Sequence, residues 1–563
     1  MRGRLPVIAL AVIAVAIAFA SSRGRDEKPA GREAAPSSIP AGAVPVRFVY
    51  SPEKAALLAP LIKRFNAEKH RVDGHPVFVQ GESMNSGEAE TKIHGGELKP
   101  VAWSPASTFW GQLLEYEADR RLVPETTPSL VRTPLVIAIW EPMARALGWP
   151  RKKLGFADFV RLARSGAGWG DFGHPEWGPF KLVHTNPDFS TSGLSAVVAE
   201  YFFATGKREG LTERDVMDPR ARAIVRELER SIVHYGENTL LIEQEMRRRG
   251  PGYASAVAME ETTLLSFNRK REGQPPLVAI YPHEGTFVSD NPYIVLDGEW
   301  AKPEQRRAAE TLREYLVHAI TPEVAAKGGF RPADVGTPPV APVEPANGVD
   351  PAQPKRVLTV PSARVLARLK QSWREDRKPG DIMLVIDVSG SMAEDRRLAF
   401  AKRGVRAFLD QAARDDRVGL MKFSDRDEIR TVVPLGSLRD NRKKLETAVR
   451  GLIGFGGTAF YDATVKAFER MRRLEDDGER INAVVLLTDG KDQNSDLELE
   501  DVVKRLDQGD TEYPVRVFTI AYKLESRDAR EALKEIAAAS GGGFYLGDTG
   551  DIDTVFRKIG SYF

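Results

Sequence analysis

The most chemically suggestive residues follow an apolar segment in the C-terminal third of the chain. Residues 382–386 are apolar and predict a buried strand, which ends at Asp387 and is followed by Ser389 and Ser391. In a loop at the carboxyl edge of a parallel sheet, one carboxylate and two hydroxyls at this spacing can converge on one point. Such hard oxygen donors suit Mg²⁺, Mn²⁺ or Ca²⁺ rather than zinc or copper. The spacing therefore predicts a hard-cation site with room for a further ligand.

Two later segments supply donors of the same kind. Thr458 lies in a glycine-rich loop, and Asp489 follows an apolar strand predicted over 482–488. The Asp-x-Ser-x-Ser sequence alone also fits a helix N-cap with turn hydroxyls, but the two additional donors favour a metal site. Asp462 and Asp492 lie nearby and are assigned helix-cap and turn roles instead.

On these residues, the segment 379–563 resembles a von Willebrand factor A domain. The metal-ion-dependent adhesion site (MIDAS) of that family has an Asp-x-Ser-x-Ser motif, a Thr and a distal Asp, and each has a counterpart here. The resemblance implies Mg²⁺ (or Mn²⁺ or Ca²⁺) and a protein partner that supplies a carboxylate to the metal. It implies binding without catalysis. The implied metal ligands are Asp387, Ser389, Ser391, Thr458 and Asp489.

Strand-like and helix-like segments alternate throughout 379–563. This alternation predicts a doubly wound, Rossmann-like parallel sheet with helices on both faces. In such folds ligand sites lie at the carboxyl ends of the strands, where the predicted metal loops also fall.

Residues 44–331 show a second α/β pattern with longer excursions. A strand over 44–50 ends at Ser51, a hydroxyl-rich loop follows the next strand, and residues 133–140 form a central apolar strand. These features resemble the bacterial extracellular solute-binding proteins of the type II periplasmic fold, closest to their molybdate-type branch. The resemblance implies two lobes that close on a ligand by a hinge motion. The expected lobes are about 44–130 with 275–330, and 131–274.

Hydroxyls at predicted helix N-termini mark the expected ligand cleft of this module. Free backbone N–H groups and the helix dipole favour an anion there, although each hydroxyl alone also fits a simple N-cap. Together they predict a cleft for a small-molecule or oxyanion solute, while Glu82, Glu260 and Glu261 count against a simple tetrahedral oxyanion. A lone histidine, His184, is more typical of a satisfied structural residue than of a ligand. The predicted cleft residues are Ser51, Ser83, Ser86, Ser190, Thr191 and Ser192.

Length and composition restrict the remaining possibilities. The chain has 563 residues, which is too long for one core, and its net charge of +2 gives no general attraction to nucleic acid. Basic and aromatic residues are not interleaved as in a nucleic-acid groove, so no nucleic-acid partner is expected. The absence of cysteine excludes disulfides, thiolate metal sites and a cysteine nucleophile.

The N-terminal region predicts export. Residues 1–20 combine two arginines with an apolar stretch and predict a signal peptide or, alternatively, an uncleaved anchor. Residues 21–43 predict a disordered tether. The protein is therefore expected in the cell envelope, in the periplasm or outside the cell, and to contact the membrane only through this segment.

Residues 332–378 predict a Pro-rich linker followed by a spacer helix. The prolines favour an extended, semi-rigid segment that separates two bodies. Val365, Leu366, Leu369 and Trp373 have helical spacing, and this helix is expected to dock onto the C-terminal domain.

Three functional hypotheses follow. The first is an exported binding protein that joins a solute-binding module to a metal-dependent adhesion module. The second is a solute receptor that serves an ABC-type transporter. The third, an envelope hydrolase, is disfavoured because the chain contains no Gly-x-Ser-x-Gly, His-Glu-x-x-His or Gly-Lys-Ser/Thr motif. The chain is accordingly predicted not to be an enzyme.

Overall fold

The computed structural model describes residues 39–474, 478–509, 511, 514–548 and 550–563. The predicted signal peptide or anchor, and residues 21–38 of the predicted tether, lie outside the described residues. Within the described part, no helix is both long and apolar enough to cross a membrane.

Three sheets organise the chain. The strands are β1 (Val44–Tyr50), β2 (Arg71–Val72), β3 (His75–Ser83), β4 (Ala102–Ser104), β5 (Thr133–Trp140), β6 (Leu182–Thr185), β7 (Ile232–Gly236), β8 (Ala256–Glu260), β9 (Leu277–Ile280), β10 (Val288–Ser289), β11 (Ile294–Val295), β12 (Gly380–Asp387), β13 (Arg417–Phe423), β14 (Arg430–Ser437), β15 (Ile481–Thr488), β16 (Arg516–Tyr522) and β17 (Phe544–Gly547). The helices are α1 (Ala55–Glu68), α2 (Ser86–His94), α3 (Phe109–Ala118), α4 (Glu141–Ala146), α5 (Phe156–Arg164), α6 (Thr191–Thr205), α7 (Glu213–Val216), α8 (Pro219–Arg230), α9 (Thr239–Arg249), α10 (Glu261–Arg269), α11 (Pro303–Ala319), α12 (Pro322–Lys327), α13 (Ala363–Asp376), α14 (Arg397–Gln411), α15 (Leu438–Arg450), α16 (Phe460–Arg472), α17 (Leu499–Leu506), α18 (Arg527–Ser540) and α19 (Ile552–Gly560).

The N-terminal module has two lobes, each with its own sheet. The first sheet has the order β11-β4-β1-β3-β2, and the second runs β10-β5-β8-β6-β7 with β9 also paired to β5. Strand β5 is buried along its whole length, as expected for a central strand. The expected return to the first lobe near residue 275 is wrong, because β9 and β10 pair with β5 and the chain returns only at β11.

The C-terminal domain is a six-stranded sheet of order β14-β13-β12-β15-β16-β17. Its strands are parallel except β14, which pairs antiparallel to β13 at one edge. Every residue of strands β12 and β15 is buried, and their central residues 382–386 and 483–487 are all apolar, because helices cover both faces of the sheet. The predicted α/β fold class, a two-lobed module followed by a doubly wound sheet, is confirmed.

The Pro-rich segment does not hold the two bodies apart. It lies along the second lobe, where Ala279 N–H donates to the carbonyl of Gly348 at 2.8 Å and Leu358 N–H to that of Thr286 at 2.9 Å. Apolar side chains within this segment are buried against the lobe, among them Val343 and Leu358. The expected separation is therefore wrong, because these apolar residues and paired backbone groups fasten the segment to the module.

Helix α13 docks onto the N-terminal module rather than onto the C-terminal domain. Its Trp373 packs edge-on against Tyr235 of β7, with ring centroids 5.1 Å apart. The hydroxyls of Ser372 and Tyr201 lie 2.8 Å apart. Near the other lobe, the ammonium of Lys370 lies 5.5 Å from the Trp110 ring of α3. The prediction of a helix from this spacing was correct. The apolar face of the helix, however, is covered by the N-terminal module, and the helix contacts both lobes of that module.

The C-terminal domain also contacts the second lobe directly. Arg248 donates to the carbonyl of Ala538 at 2.8 Å, which satisfies an acceptor near the end of α18. The residue that follows this helix, Gly541, has φ +75°, and a Cβ there would overlap with Arg249 Nη1. Tyr235 N–H donates to the carbonyl of Tyr562 at 3.2 Å. The two modules are therefore in direct contact.

Candidate functional site

Asp387 closes β12, and the loop after it places hydroxyl groups beside the carboxylate. The N–H of Ser389 donates to Asp387 Oδ1 at 2.7 Å. The hydroxyl of Thr488, at the end of neighbouring β15, donates to Asp387 Oδ2 at 2.6 Å. Ser389 Oγ and Ser391 Oγ lie 3.1 Å apart. Three of the predicted metal ligands, Asp387, Ser389 and Ser391, thus meet at the carboxyl edge of the sheet.

Asp489 and Thr458 reach the same edge from two other loops. Ser391 donates to Asp489 Oδ1 at 2.7 Å and so connects the first loop to the third. A Cβ on Gly490 would lie 3.1 Å from Thr458 Oγ1, which places the Thr458 hydroxyl against the turn after Asp489. The structure brings all five predicted metal ligands to one loop cluster.

Asp462 and Asp492 act as hydrogen-bond acceptors for neighbouring backbone. Asp492 accepts the N–H of Tyr461 at 2.9 Å, at the start of α16. Asp462 accepts the N–H groups of Asp496 and Leu497, at 2.9 and 3.1 Å. These contacts agree with the cap and turn roles expected from the sequence.

The electrostatics of the cluster favour a bound cation. Burial raises the pKa of the Asp387 carboxyl to about 7; hydrogen bonds from Thr488 and Ser389 lower it, and the charge of Asp489 raises it. Two carboxylates in a water-poor site repel each other unless a positive charge lies between them. The donor set of carboxylate and hydroxyl oxygens therefore fits a hard divalent cation.

Arg397 is part of this cluster and was missed in the sequence. Its Nη1 donates to Asp489 Oδ2 at 2.7 Å, and its Nε is buried without a hydrogen-bond partner in the described part of the chain. The preceding residues, Asp395 and Arg396, have φ of +48° and +58°, a region that residues other than glycine seldom adopt. This turn starts α14 at Arg397 and lets its guanidinium reach Asp489. Nothing in the spacing distinguishes Arg397 from its neighbour Arg396.

Four of the six predicted cleft residues line one small cavity between the lobes. Ser51, Ser86, Ser190 and Thr191 surround a space of about 10 Å³, which is about the room that one water molecule needs. The lobes meet closely here, because Trp110 Nε1 of the first lobe donates to Thr191 Oγ1 of the second at 2.8 Å. The cleft is thus closed in this structure.

The other two predicted residues lie outside this cavity. Ser192 Oγ lies 2.9 Å from Thr185 Oγ1 and 3.2 Å from Ser190 Oγ, so its hydroxyl is used within the second lobe. Ser83 is exposed and lines a larger cavity beside the cleft.

The closed cleft contains two carboxylates, of which only Glu260 was singled out in the sequence. Glu53 and Glu260 both line it, and neither forms an ion pair with Lys or Arg among the described residues. Burial, and next the charge of Glu53, raise the pKa of Glu260 to about 8. The adjacent Lys54 is buried and donates to the carbonyl of Pro105 and to Asn291 Oδ1, at 2.9 and 3.0 Å. Two carboxylates that form no ion pair among the described residues therefore line the closed cleft.

A larger cavity of about 810 Å³ continues from the cleft and is lined by both lobes and the C-terminal domain. Its carboxylates are already paired with basic residues: Glu82 with Arg47 at 2.7 Å and Glu237 with Lys558 at 3.2 Å. Pro52, Asn85, Asn238 and Leu240 line both spaces. The carboxylates without an ion pair thus line the narrow cleft, and the larger cavity adjoins it.

These features define a class of protein. Its members have a two-lobed α/β binding module followed by a doubly wound domain with a MIDAS-like loop cluster. A family model described as bacterial extracellular solute-binding protein matches residues 46–331, half of the chain, and one for the von Willebrand factor type A domain matches residues 381–558. The chain therefore belongs to the bacterial extracellular solute-binding proteins and carries a von Willebrand factor A domain after that module. Both predicted resemblances are confirmed.

Solved structures show similarity to each part at low identity. A von Willebrand factor type A structure from Catenulispora acidiphila has 22% identity and a TM-score of 0.28, over 33% of this chain and 42% of that chain. A periplasmic thiamin binding protein has 11% identity and a TM-score of 0.42, over 59% and 96%. The periplasmic binding protein AfuA from Actinobacillus pleuropneumoniae has 14% identity and a TM-score of 0.42, over 59% and 99%. No curated protein matches the chain.

Proposed function

We propose that this chain is an exported cell-envelope protein that binds a solute in its N-terminal module and a protein partner at a metal in its C-terminal domain. The observation that carries the proposal is the loop cluster in which Ser391 joins the carboxylates of Asp387 and Asp489 through a chain of hydrogen bonds. Both modules belong to classes that typically bind without turnover, and we propose the same for this chain.

The metal would be held by the five oxygen donors of the loop cluster. Von Willebrand factor A domains commonly bind a divalent metal there, and Mg²⁺ suits this donor set, with Mn²⁺ or Ca²⁺ as alternatives. When bound, the ion would offer a coordination position to a carboxylate of the protein partner. The residues are Asp387, Ser389, Ser391, Thr458 and Asp489.

A peptide-display selection on the immobilised full chain tests this function. We expect peptides selected in Mg²⁺ to share an Asp or Glu and to dissociate in EDTA. The same peptides should fail to bind a Thr458→Ala chain, because that variant lacks one metal ligand while the strands of the sheet are unchanged. Selection of peptides without a shared acidic residue, or binding that persists in EDTA, would argue against a metal-dependent protein site.

Arg397 is expected to weaken metal binding in the resting protein. Its guanidinium neutralises Asp489, so a cation that binds the same carboxylate works against a nearby positive charge. We predict that Arg397→Gln binds Mg²⁺ about tenfold more tightly than the native chain, an effect of about 1.4 kcal/mol, measured by titration calorimetry. Weaker binding would instead mean that Arg397 holds Asp489 in its binding position.

For the solute, we propose a small molecule with a positively charged group rather than an oxyanion. Glu53 and Glu260 would meet that group in the cleft once the lobes part. A thermal-shift screen of the full chain against cationic, zwitterionic, sugar and oxyanion ligands tests this. A ligand at about 100 times its Kd adds about 2.7 kcal/mol of stability and is readily detected. Stabilisation by oxyanions alone would contradict the proposal.

Glu260 gives this proposal a pH dependence. Its folded pKa of about 8 lies above the ordinary value of 4.5, so the native chain holds this proton up to about pH 8. Its contribution to folding stability is therefore fully present below pH 4.5 and is lost as the pH rises through 8. Affinity for a cationic solute should change in the opposite direction and rise up to tenfold per pH unit below 8.

A Glu260→Gln chain supplies the control for this pH profile. We expect its solute affinity to be low and nearly constant between pH 6 and 9, as measured by calorimetry. A native pH profile in this variant would show that another group titrates.

The second candidate function, delivery of solute to an ABC-type transporter, is favoured by the two-lobed module itself. Against it, the C-terminal domain occupies a surface of the second lobe. A transport receptor should show no Mg²⁺-dependent peptide binding in the selection described above.

A further inference from the structure

A buried group of three potential metal ligands lies in the second lobe, away from the MIDAS-like cluster and the cleft. His184 is on β6, Glu200 on α6 and Glu229 on α8. Their donor atoms all lie within 4.8 Å of one another. The three residues are 0%, 3% and 1% exposed, so water does not compensate their charges. Carboxylates in such a site are stable only if a proton or a cation neutralises them.

The histidine presents a lone pair to this cluster. Its Nδ1 lies 2.8 Å from the carbonyl oxygen of Thr185, which only accepts, so Nδ1 carries the hydrogen. In the neutral ring Nε2 is then an acceptor, and it faces Glu229 Oε1 at 3.1 Å. Two acceptors this close require a proton or a metal ion between them.

The two carboxylates differ in their hydrogen bonds. The other oxygen of Glu229 accepts the hydroxyl of Tyr235, which fixes its orientation. Glu200 Oε2 is buried and has no hydrogen-bond partner in the described part of the chain. No Lys or Arg among the described residues forms an ion pair with Glu200 or Glu229. A bound divalent cation would neutralise both carboxylates, whereas a single shared proton leaves Glu200 Oε2 without a partner.

We propose that His184 Nε2, Glu229 Oε1 and Glu200 Oε2 bind a divalent transition metal, with zinc as the best match. Imidazole and carboxylate ligands at about 2.0–2.2 Å in tetrahedral geometry lie about 3.3–3.5 Å apart. The 3.1 Å between His184 and Glu229 is already close to this separation. The Thr185 carbonyl and the Tyr235 hydroxyl supply the outer hydrogen bonds that orient such ligands.

The site would also support the junction between the modules. The hydroxyl of Tyr235, which donates to Glu229, accepts the backbone N–H of Lys378 at 3.0 Å, just before β12. The ring of Tyr235 packs against Trp373 of α13. Metal bound at Glu229 would therefore hold the surface on which the linker helix and the start of the C-terminal domain rest.

Zinc content of the full chain tests the proposal. The measurements use an Asp387→Asn background, so that zinc at the MIDAS-like cluster does not contribute. We expect about one zinc per chain from zinc-supplemented cultures, and at least a tenfold lower content in Asp387→Asn/Glu200→Gln. Glu90→Gln is the matched control, because Glu90 is a buried carboxylate of the other lobe that also has an unpartnered oxygen. This control should keep its zinc.

Cobalt provides a second measurement that does not depend on the folding of the Glu200 variant. Co²⁺ in a four-coordinate nitrogen and oxygen site absorbs visible light strongly, whereas six-coordinate Co²⁺ absorbs weakly. The folded Asp387→Asn chain, grown with Co²⁺, should show the strong bands. Absence of these bands and of zinc would overturn the proposal and mean that His184 and Glu229 share a proton instead. Undiminished zinc in a folded Glu200→Gln variant would overturn it as well.

Discussion

Replacement of Asp387 by Asn should lower the affinity for Mg²⁺ by about 100-fold or more. Loss of a group that only orients a ligand commonly costs 10- to 100-fold, and Asp387 is itself a proposed ligand. Asn keeps the size of the side chain and an oxygen that can accept the N–H of Ser389. The variant thus removes charge with little change in packing, and titration calorimetry with Mg²⁺ measures the loss directly.

The same substitution should leave the metal-free protein at least as stable. Burial opposes the charged form of Asp387, so removal of that charge has little cost without the cation. We expect thermal melts of native and variant chains to agree within about 1 kcal/mol in EDTA, and only the native chain to gain stability from Mg²⁺.

Asp492→Asn is the matched control for this experiment. Asp492 is also a carboxylate partly removed from water near the cluster, and burial raises its pKa, but it caps neighbouring backbone and is not a proposed ligand. This control should keep native Mg²⁺ affinity. Native affinity in Asp387→Asn, or an equal loss in the control, would contradict the assignment of the site.

The loops of the proposed metal site could be predicted from the sequence because the supporting strands are unambiguous. Residues 382–386 and 483–487 are uninterrupted apolar runs, which are typical of parallel strands covered on both faces. Once these strands are placed side by side, Asp387 and Asp489 are brought to one edge by topology alone. The β5 strand of the first module was predicted from the same signal.

Features that depend on contacts between segments far apart in the sequence could not be predicted from the sequence. The stripe of Val365, Leu369 and Trp373 predicts a buried helix face, but nothing in the stripe says which module covers it. The ion pair of Arg397 depends on a turn with left-handed residues, and the role of Ser192 depends on the neighbouring Thr185. Local pattern determines element type and periodicity, whereas the choice of partner depends on tertiary packing.

The Trp373→Ala variant should show how strongly the modules depend on each other. Trp373 is 1% exposed, and its indole N–H has no hydrogen-bond partner in the described part of the chain. Its loss is therefore a pure packing defect, and truncation of a buried Trp commonly costs about 3–5 kcal/mol. We expect the free energy of the first unfolding transition, from urea titration, to fall by that amount.

The form of the unfolding transition is the more informative result. Trp373 links helix α13 to Tyr235 of the second lobe, next to where the C-terminal tail also contacts that lobe. If this interface couples the modules, the native chain should unfold in one transition and the variant in two, with Mg²⁺ raising only the transition of the C-terminal domain. Val335→Ala, at a position 78% exposed, should change neither stability nor the number of transitions. A loss below about 1 kcal/mol in Trp373→Ala would mean that the site collapses around the cavity, and that other contacts, such as those of the tail, hold the modules together.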